Sequence, residues 1–330
     1  METPPLRYLS AADVTAAMPP LQERLALAET TMRALVADAD LPPKIGVHPA
    51  PADAFAHAMP AWMRGDAGHG TSDLLGIKWV TGFPANVASG IPAIHALAVL
   101  SDATTGLPRA ILDAGVITAQ RTAAVSGVAI QRWGPPGSGA HVAVIGAGVQ
   151  ARSHLPVIAH LLPDAEVLIC DRDADRLAAL ASEVEDGRHG AFASVRTETE
   201  PSRAVEGADL VVTIVSFGPD RQSVPEAAFA PEATIVAVDY DMCVPAAIAR
   251  SAGLFLTDEL GQFLANRTDT QFVGYPDPSA TIGEAIAAGT ERSPGRVLVT
   301  HLGVGLADVV FGDAILRAAE RVGIGTLLER

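Results

Sequence analysis

The sequence predicts an α/β protein of two domains, one of them built on a parallel sheet, and three observations carry that reading. Apolar runs at 142–145, 167–170, 210–215 and 235–238 alternate with helix-compatible segments such as 173–185. Strands buried on both faces and joined by helices have this pattern. A glycine-rich turn, Gly146-Ala147-Gly148-Val149-Gln150-Ala151, follows the first run directly and opens a helical stretch. The length of 330 residues exceeds one ordinary core and suits two.

Taken in order, Ser10 can cap a first helix that carries Asp13 in its opening turn. After Pro19-Pro20, residues Leu21, Leu25, Ala28, Met32 and Leu35 recur at helical spacing and predict an amphipathic helix over about 20–38, closed by Leu41-Pro42-Pro43. Residues 44–108 hold short β-like runs broken by Gly and Pro, including Gly76-Ile77-Lys78-Trp79-Val80 and 94–100, and predict an antiparallel sheet. An Ala-rich helix then runs from Arg121 to about Trp133. The loop 134–139 leads from it into the region of alternating strands and helices, from 140 to about 260.

Composition excludes several function classes. A formal charge of −15, with no Lys/Arg-rich run, repels phosphate backbones and anionic membranes, so neither nucleic acid nor membrane is an expected partner. An acidic substrate must then be held by a few cations inside a pocket. The two cysteines, Cys170 and Cys243, fit no metal or redox spacing and read as small core residues of a reducing compartment. With no leader-like start and no long apolar stretch, a cytoplasmic location is the default expectation. The nine histidines form no H-E-x-x-H, and no G-x-S-x-G elbow is present, so neither metal nor serine chemistry is expected.

The glycine-rich turn has the G-x-G-x-x-A spacing of a Rossmann dinucleotide site, in which backbone amides near Gly148 meet a pyrophosphate. Asp171 closes the second apolar run, where a carboxylate bonds an adenosine ribose and repels a 2′-phosphate. NAD is therefore expected over NADP, with Arg172 partly offsetting the repulsion. Lys78 and Arg121 are cations outside this region, and position alone leaves them as ordinary solvated charges. Asp239 and Asp241 follow the apolar run 235–238, at the strand end where parallel sheets present ligands; each reads as a general base or as a loop acid. Asp308 is equally ambiguous.

Together these pieces resemble the ornithine cyclodeaminase and mu-crystallin family. The resemblance rests on Met59-Pro60-Ala61, Gly76-Ile77-Lys78, Phe83-Pro84-Ala85-Asn86, Thr105-Gly106-Leu107-Pro108, Arg121-Thr122-Ala123-Ala124 and the turn 146–151. It implies a homodimer in which residues 1–118 and 306–330 form an α/β substrate-binding and dimerisation domain, with a Rossmann NAD-binding domain, 119–305, inserted between them. It also implies that Lys78 and Arg121 grip a substrate carboxylate, that Asp241 is the base, and that Thr122, Gly146, Gly148, Val149, Gln150, Asp171, Arg172 and Asp308 serve the cofactor.

Two departures bear on substrate. Lys44 stands where the family often has Arg, keeping the charge without the bidentate fork. His57 stands where cyclodeaminases carry an acid that helps hold ornithine, so other small amino or imino acids gain weight. The activity implied is NAD-dependent hydride transfer at an α-carbon, as an amino-acid dehydrogenase or ketimine reductase. The alternatives are a cyclodeaminase that recycles its NAD internally and, from a different class, a low-turnover binding protein of mu-crystallin type.

Overall fold

The computed structural model describes residues 4–65, 72–216, 221, 223–267 and 271–330. The chain divides into two compact units, Met1–Arg121 with Gly303–Arg330, and Thr122–Leu302. Each is an α/β layer structure.

The first unit holds strands β1 (Leu6–Leu9), β2 (Ala39–Asp40), β3 (Ile45–Val47), β4 (Phe55–Met63), β5 (Leu74–Gly82), β6 (Ile94–Asp102) and β7 (Pro108–Asp113), with β16 (Thr326–Leu328) from the C-terminal segment. Their order is β16-β1-β7-β6-β5-β4-β2, with β3 also on β4. Every pairing is antiparallel except β1 with β7. The helix α1 (Ala11–Ala16) begins at Ser10, whose hydroxyl and Asp13 complete a capping box, as the sequence suggested. The amphipathic stretch is α2 (Leu21–Ala37), burying Leu25, Ala28 and Met32.

One face of this sheet is covered by α10 (Gly305–Val322), and glycines set how closely it lies. A Cβ on Gly305 would fall 2.5 Å from the Met59 carbonyl oxygen of β4, and one on Gly76 of β5 would fall 3.0 Å from Val309 Cγ2 of the helix. Alternation along β5 sends Leu74, Gly76, Lys78 and Val80 toward α10, and Leu75, Ile77 and Trp79 to the opposite face.

The second unit is a wholly parallel sheet of β8 (His141–Ile145), β9 (Glu166–Cys170), β10 (Ser194–Glu198), β11 (Leu210–Thr213), β12 (Thr234–Ala237), β13 (Leu254–Thr257), β14 (Ala280–Thr281) and β15 (Val297–Thr300). The order β10-β9-β8-β11-β12-β15-β13-β14 reverses between β8 and β11, the switch point at which doubly wound sheets bind nucleotides. The division between units falls within α3 (Gly115–Trp133). Helices α4 (Val149–Leu161), α5 (Ala174–Glu185), α6 (Pro201–Ala204), α7 (Ala246–Ser251), α8 (Leu260–Arg267) and α9 (Ile282–Ala287) complete the unit.

A buried polar triad ties three elements of the second unit together. Ser126 Oγ lies 2.9 Å from His154 Nε2 and 2.8 Å from His301 Nε2. His154 Nδ1 faces the Gln150 carbonyl at 2.7 Å, so that nitrogen carries the proton and Nε2 accepts from Ser126. His301 must then donate through Nε2. Burial holds His154 down to about 4, which keeps it neutral in this arrangement.

Among the described residues no helix is long and apolar enough to cross a membrane, and no group of three or more His, Cys, Asp or Glu is placed to hold a metal ion.

Candidate active site

In the first unit, two cations meet one acid inside the protein. Lys78 is 1% exposed, Arg121 5% and Asp308 0%. Lys78 Nζ lies 2.7 Å from Asp308 Oδ2, and Arg121 Nε donates to Asp308 Oδ1 at 3.2 Å. Neither cation is a surface charge. Lys78 also donates to Thr118 Oγ1 at 3.3 Å, whose own proton goes to the Ala114 carbonyl. Gly303, at φ +81°, lies against the Arg121 guanidinium, where a Cβ would come within 2.4 Å of a terminal nitrogen.

Burial drives the Lys78 ammonium down to about 7; Asp308 raises it again, while Arg121 and Lys44 lower it. Lys78 therefore changes charge near neutral pH. Asp308, expected among the cofactor contacts, has both oxygens turned to these two cations of the first unit. No local sequence pattern displays this pairing, because the acid and its partners are far apart in the chain. Thr118 and Gly303 carried no sequence signal at all.

Within the second unit, the glycine-rich turn has the shape a pyrophosphate requires. Gly146 sits at φ +117° with the Ile214 carbonyl oxygen 2.8 Å from any added Cβ, so only glycine fits. Gly148 is the N-cap of α4, and nothing lies within 4 Å of the Cβ it lacks. Val149 opens the helix exposed, Gln150 follows half-buried, and Thr122 is buried in α3. Asp171, just past β9, accepts from Ala147 N at 2.8 Å and from Asp173 N at 2.9 Å. Beside it, Arg172, Thr199, Ser202, Arg221 and Val224 line a cavity of about 280 Å³. These residues fit a dinucleotide: an open helix N-terminus for phosphate, then a carboxylate for ribose, then a polar pocket.

The two acids after β12 differ sharply. Asp241 Oδ1 is 2.5 Å from Arg221, and Oδ2 accepts from Phe272 N at 2.9 Å. Tyr240, its neighbour in the chain, and Phe272, whose amide it accepts from, both hold left-handed φ values, +60° and +54°. Such strain collects at functional sites. Arg221, the ion-pair partner, was not singled out by sequence reasoning, since an arginine beside a strand end has no distinguishing pattern.

Asp239 is fully buried, accepting from Thr213 Oγ1 at 2.7 Å and from Val215 N at 3.4 Å. Burial raises it from 3.8 to about 6, against the pull of Thr213, Cys243 and Val215. The folded protein thus holds this proton more tightly than the unfolded chain. Stability falls as pH rises through that interval and stays lower above it. Asp239→Asn should stabilise the protein at pH 8, by an amount on the order of 3 kcal/mol read as a higher melting midpoint, and the gain should vanish near pH 4. Thermal melts across pH check this; a gain independent of pH would show that the carboxylate charge is not its cause.

With this geometry in view, comparison with known proteins is decisive. The family model described as "Ornithine cyclodeaminase/mu-crystallin family" matches residues 9–239. The chain belongs to this family. The nodulation efficiency protein NfeD of Rhizobium meliloti is 33% identical over 98% of both chains. An alanine dehydrogenase of Archaeoglobus fulgidus is 28% identical over 88% of both. Among solved structures, the Thermococcus litoralis Δ1-pyrroline-2-carboxylate reductase, in complex with NADH and L-proline, superposes with a TM-score of 0.83 at 22% identity, covering 97% of this chain and 99% of that one. The cyclodeaminase/mu-crystallin resemblance read from the motifs is thereby established, and with it the fold: a Rossmann-type parallel sheet in an α/β chain.

Proposed function

We propose that the protein is an NAD-dependent enzyme that moves hydride at the α-carbon of a small amino or imino acid, as a dehydrogenase or ketimine reductase. The observation that carries this reading is the buried trio Lys78–Asp308–Arg121. With Lys78 protonated, two cations and one acid leave one net positive charge sealed from water, matched to one substrate carboxylate. An alanine dehydrogenase and an NADH-bound reductase among the relatives support it.

NAD, when bound, supplies or takes the hydride. The chain contributes orientation and proton handling: Lys78 and Arg121 fix the carboxylate, and Asp241, at the carboxyl end of β12, receives the amine proton in the oxidative direction. An absorbance assay for NADH oxidation over a panel of cyclic and acyclic imino acids tests the reading. No turnover on any of them, with NADH demonstrably bound, would refute it.

Asp171 sets the cofactor preference in this reading, with NADH bound more tightly than NADPH. Asp171→Ser should narrow that preference by about 10-fold or more, because the repelling carboxylate is gone. Absolute NADH affinity should fall as well, since the same carboxylate holds Ala147 N. Fluorescence titration with both cofactors decides, and an unchanged ratio would remove Asp171 from selectivity.

The outer face of the first sheet is offered to a second copy of the chain. Across it run Ala58–Trp79–Leu97 and Pro60–Ile77–Val99–Ile111, aligned by register, with Trp79 and Leu97 each 45% exposed. An apolar face this continuous is uncommon on a monomer. Trp79→Glu should convert a dimer into a 34.0 kDa monomer at micromolar concentration. Sedimentation velocity measures this, and a wild-type monomer would overturn the assignment.

A further inference from the structure

The inner face of the same sheet carries basic groups beyond the carboxylate-binding pair. His57 of β4 is paired on one side with Gly46 of β3 and on the other with Val80 of β5, and Met59, two residues on, is paired with Lys78. His57 and Lys78 therefore project from one side of the sheet. A Cβ on Gly46 would lie 3.0 Å from His57 Cδ2, so β3 passes close over the ring. Phe55 stacks on the imidazole with centroids 4.7 Å apart and planes 26° off parallel, which fixes its orientation.

Lys44 and His48 flank Gly46, two residues to either side. Burial, then repulsion from Lys44, His48 and Lys78, holds the half-buried His57 down to about 4. Four basic side chains thus share one neighbourhood in a chain of charge −15. Of its 23 Lys and Arg residues only Lys44 and Lys78 are lysine, and both are here. Elsewhere the chain meets every need for a cation with arginine. An ammonium differs from a guanidinium in being a compact point charge, suited to a single carboxylate oxygen in a confined space.

We propose that this neighbourhood receives a second anionic group of the substrate, so that the amino or imino acid is a dicarboxylate, its α-carboxylate on Lys78 and Arg121 and its distal carboxylate on His57, flanked by Lys44 and His48. The inference rests on the reading of Lys78 and Arg121 given above. A side chain ending in an ammonium meets repulsion from the same groups, and an uncharged one gains nothing from them. His57, neutral in the free protein, has one N–H to offer, and an arriving anion draws a proton onto its other nitrogen. The distal carboxylate takes no part in bond making. Hydride adds to the imine carbon and a proton to its nitrogen, or the reverse.

Three unreactive four-carbon acids separate the possibilities by calorimetric titration of the full chain: succinate, butyrate and 4-aminobutyrate. Succinate should bind at least about 10-fold more tightly than butyrate, and 4-aminobutyrate most weakly. His57→Gln should shrink the succinate advantage and His57→Glu should reverse the order in favour of 4-aminobutyrate, with circular dichroism showing both variants folded. Butyrate binding as well as succinate, or an order unchanged in both variants, overturns the dicarboxylate assignment while leaving hydride transfer on uncharged imino acids intact. A succinate preference that follows His57, in a protein without NADH turnover on any imino acid, supports the anion site and removes the proposed function instead.

Discussion

Asp308→Asn is expected to lower kcat/KM for carboxylate substrates by about 10²- to 10³-fold and to destabilise the protein by about 3 kcal/mol, because removing one partner leaves two buried cations facing each other. The pH dependence identifies the cause. Asp308 raises Lys78 against the effect of burial, and in the native protein Lys78 loses its proton near pH 7. Substrate KM should therefore climb as pH rises through about 7 in the native enzyme. In the Asn variant Lys78 discharges at lower pH, so KM should already be high at neutrality. Adding Lys78→Met removes the surplus charge and should recover most of the stability with none of the activity. On the same helix, Asp313 pairs with Arg109 at 3.3 Å and Arg317 at 2.6 Å, both of them partly exposed. Asp313→Asn is the control and should change KM little. An Asp308→Asn enzyme with native KM across pH would detach the trio from substrate binding.

How much of this was legible in the sequence varies by element, for physical reasons. Runs buried on both faces, such as those of β8 and β9, are continuous in sequence and matched within a residue. The strand β10, Ser194–Glu198, was invisible because it is a polar edge strand with no apolar signature. The placement of β15 between β12 and β13 is a matter of spatial order that no local pattern encodes. In β5 the pattern actively misleads. Leu75, Ile77 and Trp79 form the more hydrophobic side, yet it is the side with Gly76 and Lys78 that packs under α10. Residue preference treats Lys78 as a solvated edge charge, when in fact the acid that compensates it comes from Asp308, 230 positions further along the chain. The glycine turn and Asp171, by contrast, lie within one strand–helix–strand unit, where spacing alone carries the geometry. Long-range charge pairing is what the sequence could not display.

Asp241→Asn is expected to lower kcat for amino-acid oxidation by about 10²- to 10⁴-fold, the usual range for loss of general acid-base help. Structure narrows what this substitution changes. The amide oxygen of the variant side chain can still accept from Phe272 N, so the left-handed turns at Tyr240 and Phe272 should survive and the fold with them. What disappears is the negative charge facing Arg221, 2.5 Å away, and the capacity to take a proton. Cofactor affinity should barely move. Reduction of a cyclic imine makes a weaker demand, because a substrate already protonated in solution needs no proton from the enzyme before hydride arrives. At a pH below the imine's own pKa, the variant should keep much of its reductive rate while its oxidative rate stays depressed. Both directions are measured on one preparation, with substrate and cofactor saturating. Equal losses in both would mean that Asp241 acts by holding Arg221 and the turn in place. Full activity in the oxidative direction would remove it from proton transfer altogether. Asp239 could not replace it easily, being enclosed by Thr213 and Val215. Lys78, poised at about 7 in the first unit beside the carboxylate site, would then be the base to test next.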